Sequence, residues 1–366
     1  MRRRDFLQTA TAASLLGAGG LRAAINRGRL DEAAAIMQQS VASGVLRAGT
    51  LYVRQGDFTF ARAFGAAKTP DTIFLLASIS KPMTAAGLMV LADRGELKLS
   101  DPVRKFIPEF SEGDRKLITM QHLLTHTSGL PDQLPENTEL RSRNAPLEDF
   151  VAGAVKTPLL FKPGSGVKYQ SMGILLAAEV AQRITKRPFR EFLDEVLYRP
   201  FGMDRSALGL GKFKVSDTAQ CQVENVTGLD GGGGPGTEHW NWNSPYWRDL
   251  GSPWGGAHAS APDVAKFLAY FLEPDGRVVK PATAKAMITN QNQGLPTPWG
   301  IGFRLQPGFS KACSEATFGH SGSTGTLSWA DPKTKLTCVI LSTLPAQESN
   351  KTILQPAADL VSESAV

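Results

Sequence analysis

The run Leu76-Ala77-Ser78-Ile79-Ser80-Lys81-Pro82, continued by Met83 to Arg94, decides how this chain is read. Beyond Pro82 the apolar residues Ala86, Leu88, Met89, Leu91 and Ala92 recur at helical spacing, and Gly95 closes the pattern as a residue past a helix C-terminus should. Pro82 suits the first turn, where its missing N–H removes no needed bond. Ser78 and Lys81 then stand three apart on one face at a helix entrance. A hydroxyl there lies beside an ammonium and at the positive end of the helix dipole, which favours a developing oxyanion. The same pattern recurs at Ser165-Gly166-Val167-Lys168, and roughly one chance match is expected in a chain of this size. Ser165 is enclosed by Pro163, Gly164 and Gly166, a turn signature, so its lysine is not held one helical turn away. Ser78 is the candidate nucleophile and Ser165 a loop residue.

Working outward, Leu30 to Leu46 reads as a helix, and Gly49–Arg54 and Phe58–Phe64 as two strands joined at Gln55-Gly56-Asp57. Helical patterns follow at Ile118–His126, Asp149–Val155, Gly173–Ile184, Phe189–Tyr198, Asp263–Leu272 and Lys280–Gln291. Between Val223 and Gly256 the four glycines Gly231 to Gly234 precede Trp240, Trp242, Tyr246, Trp247 and Trp254, which reads as a long irregular excursion. Its tryptophans are either a cleft wall favouring apolar or aromatic acyl groups or the anchors of a long loop. Gly300–Arg304, Thr317–Gly319, Thr326–Asp331 and Leu336–Leu341 read as strands, and Leu354–Val361 as a closing helix. Strands at both ends with helices between predict an α/β (α+β) fold. A mainly antiparallel sheet, built from about 25–75 and 295–366, is flanked by helices. An all-helical region, about 76–294, is inserted into it, with a cleft at the junction.

With 366 residues and 42% hydrophobic content the chain can bury a large core. The net charge of +6 is mild and partly carried by Arg2, Arg3, Arg4, Arg22, Arg27 and Arg29. No basic stripe or aromatic–basic alternation occurs, which argues against a nucleic-acid partner. Cys221, Cys313 and Cys338 are widely spaced and form no metal motif; they read as small buried hydrophobes, with one disulfide the alternative. Arg3-Arg4-Asp5-Phe6-Leu7 resembles the twin-arginine export signal, and Thr9 to Leu21 supplies a short apolar region. Residues 1–24 are therefore expected to be an export signal outside the fold, too short for a stable membrane span. The protein is expected in the periplasm or outside the cell.

Two further motifs bear chemistry. Tyr169, in Tyr169-Gln170-Ser171, supplies a phenol, and His320-Ser321-Gly322 precedes what reads as an edge strand. Acyl transfer needs a nucleophile, a base and N–H donors where the oxyanion forms. The base is either Tyr169 as a phenolate stabilised by Lys81, or neutral Lys81 itself. Bringing a phenol from pKa near 10 to about 7 takes roughly 4 kcal/mol of differential stabilisation, which one close, partly desolvated ammonium can supply.

In that order the three motifs resemble the serine hydrolase superfamily of class C β-lactamases, D-alanyl-D-alanine carboxypeptidases and related esterases. Leu123-Leu124-Thr125-His126-Thr127-Ser128-Gly129-Leu130, Pro200-Phe201-Gly202-Met203 and Phe318-Gly319 with Gly325 are also family-like, and the likeness runs from about Leu30 to Leu344. The resemblance implies a β-lactamase/transpeptidase-like fold and acylation of Ser78, with Tyr169 and Lys81 handling protons. It also implies an oxyanion hole from the N–H groups of Ser78 and Ser323, with His320, Ser321 and Gly322 lining the far wall. The β-lactamases carry Asn where Ser171 stands and Lys where His320 stands. The Asn helps hold an amide side chain, and the Lys offers a substrate carboxylate a fixed charge, whereas a histidine is mostly neutral at pH 7. These two departures tilt the expectation towards ester hydrolysis. A small-molecule amide or β-lactam substrate is the alternative, and a non-catalytic receptor that traps its acyl ligand is the next.

The bland readings are a helix cap with a solvated lysine for Ser78 and Lys81, an ordinary half-buried Tyr169, a turn residue at Ser171 and a structural His320. The ordered motif set weighs against them together. His122 and His126, four apart in a helical pattern, lack the Glu of a zinc-protease motif and read as packing. Gly319-His320-Ser321-Gly322-Ser323 breaks the lipase elbow at its last position. No metal or organic cofactor is implied.

Overall fold

The computed structural model describes residues 25–224, 226 and 233–365. The twin-arginine-like stretch and Gly231 and Gly232 lie outside them. The chain opens with α1 (Arg27–Ala42), capped by Asn26, and the hairpin β1 (Ala48–Gln55) and β2 (Phe58–Gly65). β3 (Phe74–Leu75) leads through a 3-10 turn, Ala77–Ile79, into α2 (Ser80–Asp93). Then come α3 (Met120–Leu124), α4 (Asn137–Ser142), α5 (Leu147–Lys156), α6 (Met172–Thr185), α7 (Phe189–Leu193), β4 (Ser206–Leu208), α8 (Pro245–Leu250) and β5 (Ala257–Ala259). After α9 (Ala261–Leu272) and α10 (Pro281–Met287), the strands β6 (Arg304–Leu305), β7 (Phe318–Gly322), β8 (Thr326–Asp331) and β9 (Leu336–Ser342) precede α11 (Ala346–Ser349) and α12 (Gln355–Glu363).

The main sheet is antiparallel, ordered β2-β1-β9-β8-β7-β6, so the two ends of the chain meet where β1 pairs with β9. All seven residues of β9 are buried, because the sheet is covered on both faces. The two-residue period of a strand divides them. Leu336, Cys338 and Ile340 join the core beneath α1 and α12, whereas Val339 and Leu341 face the larger core shared with α2, α6 and α9. Cys221, Cys313 and Cys338 are free thiols. Among the described residues no helix is long and apolar enough to cross a membrane.

Five expectations need correcting. The inserted region is not all helical: β3, β5 and β4 form a separate three-stranded sheet, whose strands of two or three residues are too short to leave a periodic signal. α2 is buried from Ser80 to Leu91 rather than along one stripe, so it is the central helix around which the insertion packs. The tryptophan-rich excursion contains α8, which starts at Ser244, whose hydroxyl accepts from Trp247 N, continues through Pro245, and ends at left-handed Gly251. His320, Ser321 and Gly322 lie within β7 rather than before a strand, and the Thr326–Asp331 strand is interior, with β9 and β7 on its two sides. The helix expected to reach Gln291 stops at Met287, whose carbonyl accepts instead from Ile301 N at 2.9 Å.

Candidate active site

Ser78 sits in the tight turn between β3 and α2. Its neighbour Ala77 has φ +47°, a left-handed conformation costly for a residue with a Cβ. Surrounding bonds hold it there: Ser80 Oγ donates to Ala77 O at 2.6 Å and accepts from Ala257 N at 2.9 Å, while Thr326 Oγ1 donates to Leu76 O at 2.9 Å. β7 presses directly on this turn. A Cβ at Gly322 would stand 2.3 Å from Leu76 O, so only glycine permits that approach. The opposite side is set by Gly302, at φ +78°, where a Cβ would fall 2.3 Å from Ala85 of α2.

Lys81, one turn on, is fully buried. Its Nζ donates to Ser78 Oγ and to the carbonyl of Trp254, each at 3.0 Å, and lies 4.6 Å from the centre of the Tyr169 ring. The phenol is carried on the extended segment before α6. Gln170 anchors that segment: its N–H donates to His126 Nδ1 at 3.1 Å, and its Oε1 accepts from Ser128 Oγ at 2.5 Å. The Tyr169 ring packs among His126, Trp299 and His320, with centroids 4.8, 6.0 and 5.9 Å away. The nucleophile candidate and the amine, three residues apart, thus meet the phenol, distant in sequence, at one place. Ser165 does not join them: its hydroxyl closes a surface turn on Lys162 O at 2.7 Å.

These groups open on a cleft of about 450 Å³ that Ser171, His320, Ser321, Gly322 and Ser323 also line. The N–H groups of Ser78 and Ser323 donate to no backbone carbonyl in the turns and loops of the described residues, which leaves them available to an oxyanion. His320 Nδ1 lies 2.7 Å from Ser321 O, so that nitrogen carries the proton and Nε2 presents a lone pair. Burial, with lesser contributions from the charges of Lys81 and Arg304, pushes its pKa down to about 3, so it is neutral at pH 7. His126 is likewise held neutral by burial and by Lys81. It stands past the end of α3 at φ +62° while His122 caps that helix through Thr119, so the two do not share a helical face.

Sequence reasoning passed over three features of this cleft. Arg304, on β6, lines it, and no carboxylate among the described residues lies within ion-pair distance. Asp132 lines it too and accepts from Ser171 Oγ at 2.6 Å. The Trp254 carbonyl fixes the Lys81 amine. None belongs to a motif, and no local pattern says which wall a loop residue faces. A second cavity, also about 450 Å³, opens between α5, α6 and α8 and is lined by Leu147, Val151, Leu175 and Tyr246; it holds no nucleophile beside a base.

The fold and this constellation define a β-lactamase-fold serine hydrolase. Residues 33–362 match the family model described as Beta-lactamase, and the chain belongs to that family. It is 34% identical over 217 residues to esterase EstB of Burkholderia gladioli, covering 53% of this chain and 54% of the esterase. The match thus spans about half of that relative's length. Solved structures agree in fold. EstCE1, a hydrolase with promiscuous acyltransferase activity, superposes with TM-score 0.74 at 20% identity, covering 91% of this chain and 98% of its own. A penicillin-binding protein homolog from Caulobacter crescentus gives 0.73 at 22%, covering 92% and 97%.

Proposed function

We propose that the protein hydrolyses carboxylic esters through an acyl-enzyme at Ser78. The observation that carries this reading is the placement of Lys81 Nζ, 3.0 Å from Ser78 Oγ and over the ring of Tyr169. Ser78 Oγ attacks the ester carbonyl carbon while its proton passes to the Lys81–Tyr169 pair, and the N–H groups of Ser78 and Ser323 receive the oxyanion. The same proton goes to the departing alkoxide, leaving an acyl-serine. Water then repeats the sequence, giving up a proton to the pair, and Ser78 recovers one as the acid departs.

Ester is favoured over β-lactam by two features of the cleft. His320 offers a lone pair where a fixed ammonium would hold a carboxylate, and the Ser171 hydroxyl is committed to Asp132 rather than to an amide side chain. Arg304 supports a second reading, a carboxylate-bearing β-lactam or cell-wall peptide substrate, because it brings a cation to the wall that His320 leaves uncharged. Export fits the same proposal: Arg3-Arg4-Asp5-Phe6-Leu7 reads as a twin-arginine signal. Turnover of p-nitrophenyl esters, nitrocefin and a peptide ending in D-Ala-D-Ala, compared on one preparation, tests the assignment. The ester should be the best substrate by kcat/KM. A preference for nitrocefin or the peptide would replace it with the second reading.

A further inference from the structure

The cleft carries a carboxylate that the proposed reaction does not use. Asp132, in the loop after α3, accepts from Ser171 Oγ at 2.6 Å and, through its carbonyl, from Ser171 N at 3.3 Å. Ser171 is only 4% exposed, and its single hydroxyl proton is taken by that bond. The group turned to the substrate at this place is therefore the carboxylate. Asp132 is half-buried, its Oδ2 accepts no hydrogen bond from any described residue, and no described Lys, Arg or His lies within ion-pair distance.

The other groups on that wall sharpen its preference. Trp242, Trp247 and Trp254 line the same cleft, and indole faces attract cations. Arg141 also lines the cleft, where it stacks 3.8 Å from the centre of the Trp247 ring and donates to Trp240 O at 3.3 Å. Arg304, which lines the same cleft, repels any cation and so favours its approach to Asp132. A carboxylate beside aromatic faces, in a cleft that also holds a guanidinium, is complementary to a substrate whose positive group lies towards Asp132.

Resting on the ester reading above, we propose that the cleft selects acyl groups bearing an ammonium, with Asp132 as the specificity-determining counter-ion. The p-nitrophenyl esters of β-alanine and alanine, each paired with its uncharged isostere (butyrate and isobutyrate), test it at pH 6, with rates divided by spontaneous hydrolysis. The full chain should favour the aminoacyl ester by about tenfold or more in kcat/KM, as expected for a charge-assisted contact. Asp132→Asn should cut that ratio about tenfold. Ser171→Ala, which keeps the carboxylate, should retain it. Should Asp132→Asn fail to fold, competition on the unaltered protein decides: n-butylammonium should inhibit butyrate ester hydrolysis at concentrations where n-butanol does not. Equal handling of charged and isosteric esters, or a ratio unmoved in Asp132→Asn, overturns the proposal and leaves ester hydrolysis standing. Failure to cleave any of the four esters would remove both.

Discussion

Arg304 brings a full positive charge into a cleft whose neighbouring histidine carries none. His320, neutral because it is buried near two cations, offers a hydrogen-bond acceptor; Arg304, without a carboxylate partner among the described residues, offers the charge. Substrates with a carboxylate on the leaving group should therefore depend on Arg304, and neutral ones should not. Arg304→Gln should lower kcat/KM for a carboxylate-bearing ester by about 10- to 100-fold, mainly through KM, the range expected when a buried charge-assisted pair is lost. Parallel kinetics on an ester with a neutral leaving group of similar size check this, since equal losses on both would mean that Arg304 only supports the fold.

The turn that presents Ser78 is stable only because three elements grip it. β5 binds it through Ser80 and Ala257, β8 through Thr326, and β7 seats Gly322 against its backbone. β5 also buries His258, whose Nδ1–H donates to Gly209 O at 2.9 Å. Burial, assisted by the Arg248 charge, lowers its pKa to about 3. In the unfolded chain this imidazole takes up its proton near pH 6.5, and in the folded one only near 3. Between those values the unfolded state holds the extra proton, so the stability His258 contributes is full above about pH 6.5 and is lost on acidification by roughly 1 kcal/mol per pH unit, on top of what the buried His126 and His320 add to the slope. Urea unfolding from pH 4 to 7 should show this slope, and His258→Gln should reduce it by about one proton. Parallel curves for the two proteins would show that the imidazole is not held neutral.

At the level of the whole molecule, the chain's halves differ in how openly they state their structure. The sheet is legible because β1, β2, β8 and β9 are long enough for apolar runs bounded by turns, and its assembly from both chain ends follows from where they fall. The β3-β5-β4 sheet is not legible, since two or three residues carry no period and β5 pairs with segments far from it in the chain, Phe74 and Ser206 both meeting Ala259. α8 was within reach of a reading that gave Ser244-Pro245 and Gly251 their capping roles, but the surrounding glycines and tryptophans argue for a loop. The site divides in the same way. Ser78, Lys81 and Tyr169 stand out because each belongs to a short motif in a recognisable order. Asp132 and Arg304 do not, because their importance lies in facing a cleft that only the folded chain creates.

Whether Ser78 is the residue that is acylated can be read directly. The protein is treated with a fluorophosphonate probe, digested, and the adduct located by mass spectrometry. One adduct, on the peptide containing Ser78, lost in Ser78→Ala, is the expected result. Equal labelling of Ser78→Ala, or an adduct confined to another residue such as Ser165, would contradict it.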